Sequence, residues 1–218
     1  MAIEKHINFF ELDKASQRSG CPLCTIIGDR AHRYIDNTLF EHITNRGFRA
    51  LFRAAGGFCS FHSRHLLSFR DGLAVAILSK DIVEDRINCF EKKLPWKPKG
   101  RCPVCVERDK IEQEYLDFLS QSSGNSPEEE ELREFFLKSD GLCAPHYAGL
   151  LITPNGKKRN VPAWIKDFQE EKFKNLKSRL EQFIQLSAFG RKNEFDALEE
   201  KDKMVWKEAV ACLIENVE

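Results

Sequence analysis

Eight residues of the 218-residue chain have the types and spacing to bind metal: Cys21, Cys24, Cys59, His62, Cys102, Cys105, Cys143 and His146. Two thiolates three positions apart can grip one ion from a tight turn, and a second pair from a distant part of the chain completes a tetrahedron. Each Cys-Pro-x-Cys pair is followed by a Cys-x-x-His pair after 34 or 37 residues. The simplest closure therefore joins neighbours along the chain. Site one is then Cys21, Cys24, Cys59 and His62, and site two is Cys102, Cys105, Cys143 and His146. Three thiolates and a neutral imidazole on a divalent ion form a common structural zinc set with no open position for a substrate. The expectation is two zinc ions per chain.

Three other readings of these residues compete with zinc. Disulfides explain paired cysteines but give no role to a histidine three residues after Cys59 and again after Cys143. An iron–sulfur cluster usually takes four thiolates. A redox-active CPxC pair of the thioredoxin kind follows a strand, and neither pair here does. Of the remaining candidates, His65 follows His62 by three residues but its counterpart in the repeat described below is Gly149, so it reads as a surface histidine. His6, His32 and His42 are isolated. Cys89 and Cys212 stand beside apolar helix positions and read as small core residues.

The elements that must position the ligands emerge when the chain is compared with itself. Shifted by 84 residues, Phe48 to Leu67 falls on Leu132 to Leu151, pairing Arg49 with Arg133, Phe52 with Phe136, Gly57 with Gly141, Cys59 with Cys143 and His62 with His146. Upstream the shift is 81, pairing Cys21, Cys24 and Tyr34 with Cys102, Cys105 and Tyr115. A three-residue insertion reconciles the two registers, and the Ser122, Ser123, Gly124 and Asn125 loop is its natural place. Within each repeat the apolar spacing is helical. Leu23, Ile26, Ile27, Tyr34, Ile35, Leu39 and Ile43 predict one long helix from Pro22 to Asn45. A shorter helix follows and stops at Gly56 and Gly57, a third opens at Cys59, and Leu73, Ile77, Val83, Ile87, Phe90 and Leu94 mark a fourth. The second repeat follows the same order, with a Glu-rich first turn after Pro127 and a long helix from Pro162. A last helix from Glu194 to Ile214 has no counterpart, and the run Ile7 to Leu12 reads as a strand without a partner. The fold class expected is all-α, with the copied units packed as one pseudo-symmetric helical bundle. The segments are 1–17, a first repeat at 18–98, a second at 99–190 and a C-terminal helix at 191–218.

Lys plus Arg and Asp plus Glu both total 34, so no global field draws the chain to nucleic acid or an anionic membrane. A nucleic-acid partner would need a local patch. The candidates are Arg46, Arg49 and Arg53, spaced three and four on a helix, and Lys97 and Lys99 beside Trp96, with Lys157, Lys158 and Arg159 in the matching region of the second repeat. The start of the chain, with Glu4, Lys5 and His6, lacks a secretory pattern. The longest uncharged apolar run, Leu73 to Leu78, is too short to span a bilayer. A cytoplasmic protein with no membrane partner is the expectation, and in that compartment cysteines are metal ligands before they are disulfides. No phosphate loop, nucleophile elbow or His-Glu-x-x-His pattern occurs.

The repeated GCPLC and RCPVC, the GFCSFH and GLCAPH motifs, and the C-terminal segment with Trp206 resemble a prokaryotic family known only as a domain of unknown function. The resemblance implies a prokaryotic source and no established activity. The function expected from the residues is a non-enzymatic, zinc-stabilised helical protein that binds an unknown protein or nucleic acid. A nucleic-acid-binding regulator and a thiol-redox or metal-responsive sensor are the alternatives.

Overall fold

The computed structural model describes residues 6–122, 126–188 and 191–214. Among them the chain is all-α, and the one β-type pairing is an isolated antiparallel bridge between Ile152 and Lys158. Ser123, Gly124 and Asn125, where the three-residue insertion was expected, lie outside the described residues. Two compact units divide the chain: Met1–Ile26 with Gln113–Glu218, and Ile27–Glu112. The chain passes from one unit to the other inside two continuous helices, α2 (Pro22–Asn37) and α6 (Pro103–Ser120).

In the Ile27–Glu112 unit, α2 ends in a π-helical turn, Thr38–His42, and is followed by α3 (Arg46–Ala55), α4 (Ser60–Ser68) and α5 (Gly72–Glu91). Asn45 was expected at the end of the preceding helix. It is the N-cap of α3 instead, its side chain accepting from the Phe48 N–H at 3.0 Å. Gly56 ends α3 in the left-handed conformation at φ 71°, and a Cβ there would come within 2.1 Å of the Trp96 ring, so this stop requires glycine on two counts. Ile35, Leu39, Phe48, Phe52, Phe58, Leu66 and Leu78 form the core, with Phe52 and Phe58 edge to face at 4.9 Å. Helix α5 buries Ala74 and Leu78, whereas Leu73, Val83, Ile87 and Phe90, among the residues that mark it in the sequence, are exposed, and Leu94 lies past its end.

The other unit begins with α1 (Ile7–Ser16), a helix where the sequence reads as a strand over Ile7 to Leu12. The buried residues Phe9, Leu12, Ala15 and Ser16 recur at helical spacing and face α7 (Pro127–Leu137), where Phe9 meets Phe135 edge to face at 5.3 Å. A partner helix, rather than a partner strand, thus settles the conformation. The Glu-rich turn of α7 is a capping box: Ser126 accepts from Glu129 N–H while the Glu129 carboxylate, itself buried, accepts from Ser126 N–H. Helices α8 (Ala144–Leu151) and α9 (Ala163–Leu186) follow. The predicted last helix is three: α10 (Lys192–Asp196), α11 (Glu200–Lys203) and α12 (Val205–Leu213). Arg179 of α9 fixes the corner that breaks it, donating to Asp202 at 2.6 Å, to Glu208 at 2.7 Å and to the Lys201 carbonyl. Among the described residues no helix is long and apolar enough to cross a membrane.

Candidate metal centres

Each ligand pair opens a helix. Cys21 and Cys102 precede the first residues of α2 and α6, both proline, whose fixed φ suits that place and whose missing N–H would have no helical acceptor. Cys59 and Cys143 are the N-caps of α4 and α8, with nearly equal backbone angles of −66°, 169° and −67°, 162°. Four sulfur–helix junctions result, and at each the free N–H groups and the positive end of the helix dipole favour thiolate over thiol.

The structure gathers the eight residues into two groups of four, each with its ligand atoms within 4.8 Å of one another: Cys21, Cys24, Cys143 and His146, and Cys59, His62, Cys102 and Cys105. This corrects the pairing read from the sequence. The eight residues are the same, but Cys21 and Cys24 join Cys143 and His146, and Cys102 and Cys105 join Cys59 and His62. The physical reason lies in the connecting chain. Helix α2 and its π-helical extension carry the backbone about 30 Å beyond Cys24. Between Cys24 and Cys59 the chain runs through α2, its π-helical turn and α3, and where these rigid elements carry the backbone, rather than the spacing of the cysteines, decides which half-sites meet. Each group lies wholly within one compact unit.

The geometry suits one ion per group. In the first, His146 Nδ1 lies 3.4 Å from Cys21 Sγ, 3.4 Å from Cys24 Sγ and 3.1 Å from Cys143 Sγ, and the Cys24 and Cys143 sulfurs are 3.7 Å apart. In the second, His62 Nδ1 is 3.2 Å from Cys59 Sγ, 3.5 Å from Cys102 Sγ and 3.4 Å from Cys105 Sγ, with Cys59 and Cys105 again 3.7 Å apart. Tetrahedral bonds of about 2.3 Å to sulfur and about 2.0 Å to nitrogen give edges of about 3.8 Å between sulfurs and about 3.5 Å from nitrogen to sulfur. Both groups approach these edges. A disulfide needs sulfurs about 2.05 Å apart, and all eight cysteines are free.

Crowded thiols divide sharply when no cation is among them. Burial pushes Cys21 up, but hydrogen bonds with Cys143, Cys24 and His146 outweigh it and hold Cys21 well below the ordinary thiol range. Cys24 beside it is driven up by hydrogen bonding to Cys143 and Cys21 and by burial. In the other group, burial raises Cys59, yet the His62 backbone N–H and the Cys105 and Cys102 thiols bring it below its usual value, while burial and Cys102 push Cys105 up to about 12. The two imidazoles also part. His62 falls to about 4 through burial, then Arg108 and His65, and His146 rises to about 10 because the Cys143 and Cys21 sulfurs overcome its burial. A divalent ion supplies the positive charge that would favour the thiolates of Cys24 and Cys105.

Gln169 positions one ligand pair and was not singled out from the sequence. Its buried amide accepts from Leu142 N–H and donates to Leu142 C=O, both at 2.8 Å, clamping the residue before Cys143. Gly141 reaches this clamp at φ 79°, where a Cβ would lie 3.1 Å from Gln169 Oε1. We expect Gln169→Ala to orphan both backbone groups and cost about 2–5 kcal/mol, read as a lower denaturation midpoint. An unchanged midpoint would show that the clamp is idle. A lone glutamine on an amphipathic helix carries no signal that would have revealed it.

The remaining candidates disperse. His65 is paired with His32, ring nitrogens 3.0 Å apart, with His32 stacked on Phe69. Cys212 belongs to neither group, although burial and the nearby Cys143 and Cys21 raise its thiol to about 11. Cys89 is half-buried on α5. Tyr34 packs against the core of its unit, and Tyr115 is fully buried with its hydroxyl donating to Glu11 at 2.5 Å. Arg49 makes a two-pronged pair with Asp81 at 2.6 and 2.8 Å, and Arg53 does the same with Asp85. Arg46, Lys97 and Lys99 are exposed. Arg159 is a clamp, its buried side chain bonding Asp117, Gln113 and the carbonyls of Gly149 and Ile152.

The chain is 28% identical to an uncharacterized 23.9 kDa protein in the xynA 3′ region of Caldicellulosiruptor sp. (strain Rt8B.4), over 131 residues. That alignment takes in 58% of this chain and 63% of the relative, less than two thirds of its length. No solved structure matches the chain. Over residues 5–100, which hold Cys21, Cys24, Cys59 and His62 but not the other four ligands, the chain matches the model of a family of unknown function (DUF6062).

Proposed function

We propose that this is a non-enzymatic helical scaffold built from two copies of one unit that exchange ligand pairs, held by two structural zinc ions, and that its surface binds another macromolecule. The observation that supports this most is the gathering of three sulfurs and one imidazole nitrogen within 4.8 Å of one another, made twice with every donor supplied by the chain. Zinc has no geometric preference of its own, accepts this soft mixed set, and is held four-coordinate in structural sites. A filled coordination sphere leaves no place for substrate or water, which argues against zinc catalysis. A multi-iron cluster spreads its thiolates over several metal atoms, whereas the sulfurs here converge on one point. The nucleic-acid alternative has less support, because Asp81 and Asp85 neutralise Arg49 and Arg53, the two arginines best placed on α3.

Elemental analysis of the purified chain tests the reading. It should find about two zinc ions per chain. Iron accompanied by acid-labile sulfide, or no bound metal, would refute it.

A further inference from the structure

The exposed face of α5 has the pattern of a coiled-coil seam. Within α5, Leu73, Lys80 and Ile87 recur every seven residues, and Ala76, Val83 and Phe90 stand three residues after each of them. These are the a and d positions of successive heptads. Leu73 and Phe90 are each 74% exposed, and Val83 and Ile87 are also exposed. The helix is anchored on its far side, where Ala74 and Leu78 join the core and Asp81 and Asp85 take Arg49 and Arg53 of α3. Packing within the unit therefore leaves the seam presented rather than consumed, and a stripe of this length on a helix marks an interaction surface.

Charge selects the occupant. Within the helix the positions flanking the seam are Ile77, Glu84 and Glu91 on the e side and Ser79 and Arg86 on the g side. In a parallel pair of identical helices, g of one heptad faces e of the next heptad on the partner. Arg86 of each copy then meets Glu91 of the other, an attractive pair made twice. Antiparallel pairing sets e against e and g against g, and so makes no Arg–Glu pair. Arg86 is held at this edge by stacking on Trp96, its guanidinium carbon 3.4 Å from the ring centroid. Lys80, alone among apolar a positions and 3.4 Å from Glu84, is the kind of polar interruption that fixes register.

We propose that the α5 seam is a homodimerisation surface, joining two copies of this chain as a parallel coiled coil with Arg86 and Glu91 paired across it. The proposal rests on the scaffold reading in naming one macromolecule that the surface binds, but none of the eight metal ligands lies on α5. Metal content therefore tests the scaffold, and association state tests the seam.

The experiment is sedimentation equilibrium of the full, metal-loaded chain over a range of concentrations, with metal content and circular dichroism checked for each variant. The wild type should associate reversibly to a dimer. Ile87→Glu, at an exposed position, should give a monomer with metal content and helicity unchanged. Arg86→Glu and Glu91→Arg should each weaken self-association about tenfold, and an equimolar mixture of these two variants should recover it, since every cross-seam pair is then attractive. A monomeric wild type at all concentrations, a dimer indifferent to Ile87→Glu, or a mixture no tighter than its components would overturn the proposal.

Discussion

Stripping both metals from the native chain with a strong chelator at neutral pH should abolish cooperative folding. Binding at a structural thiolate–imidazole site contributes on the order of 10 kcal/mol, while a whole domain is stable by only about 5–15 kcal/mol. On the proposed reading each unit ties the N-termini of two helices to one ion, and losing that ion should loosen its packing. Without an ion, thiolates whose sulfurs are 3.7 Å apart must take up protons to relieve their repulsion. Thermal scans should show a cooperative transition in the loaded protein and a broad, low-temperature loss of structure in the chelated one, reversed by added zinc. Acid should act through the same groups. Coordination holds thiol pKa values below the unfolded value of about 8.5. The stability this provides is present in full above that value and is lost as pH falls through the coordinated range. Zinc release and helix loss should therefore coincide on acidification. A chelated protein that still melts cooperatively at its original temperature would remove zinc from the account of folding.

The second large effect concerns pairs of cysteines. Replacing Cys24 by Ser should release the ion of its own group and destabilise the unit that holds it. Adding Cys143→Ser should then cost little more, because the ion is already gone. Adding Cys59→Ser instead should release the second ion and roughly double the loss, since its group shares no ligand with the first. Residues that bind one ion are strongly non-additive, and residues in separate sites add. Chain-neighbour pairing predicts the reverse: Cys24 and Cys59 would then share a site, and Cys24 and Cys143 would not. Chemical denaturation of the three variants separates the alternatives.

The ligands were legible in the sequence for a physical reason. A metal site needs particular residue types at fixed short spacings, and those survive in the text of the chain as CPxC and Cys-x-x-His. The pairing was not legible, because four half-sites close two ways with identical composition, and the choice depends on where rigid helices carry the backbone. The long period of α2 was readable from Leu23, Ile27 and Ile35, but the helix α3 between Cys24 and Cys59 reads as an ordinary amphipathic segment. The helix over Ile7 to Leu12 went unrecognised because six residues alternate too briefly to separate strand from helix, and Phe135 lies 126 positions from Phe9. The C-terminal breaks depend on Arg179, a residue of another helix. On α5 periodicity located the helix but not its buried face: Ala74 and Leu78, which meet the core, are not among the apolar residues that mark it.

Zinc content of two double variants bears most directly on the crossed pairing. Measured per chain after purification, Cys24→Ser/Cys143→Ser should retain about one zinc ion, bound by Cys59, His62, Cys102 and Cys105, and Cys24→Ser/Cys59→Ser should retain none. The opposite result, one ion kept in the second variant and none in the first, would contradict it.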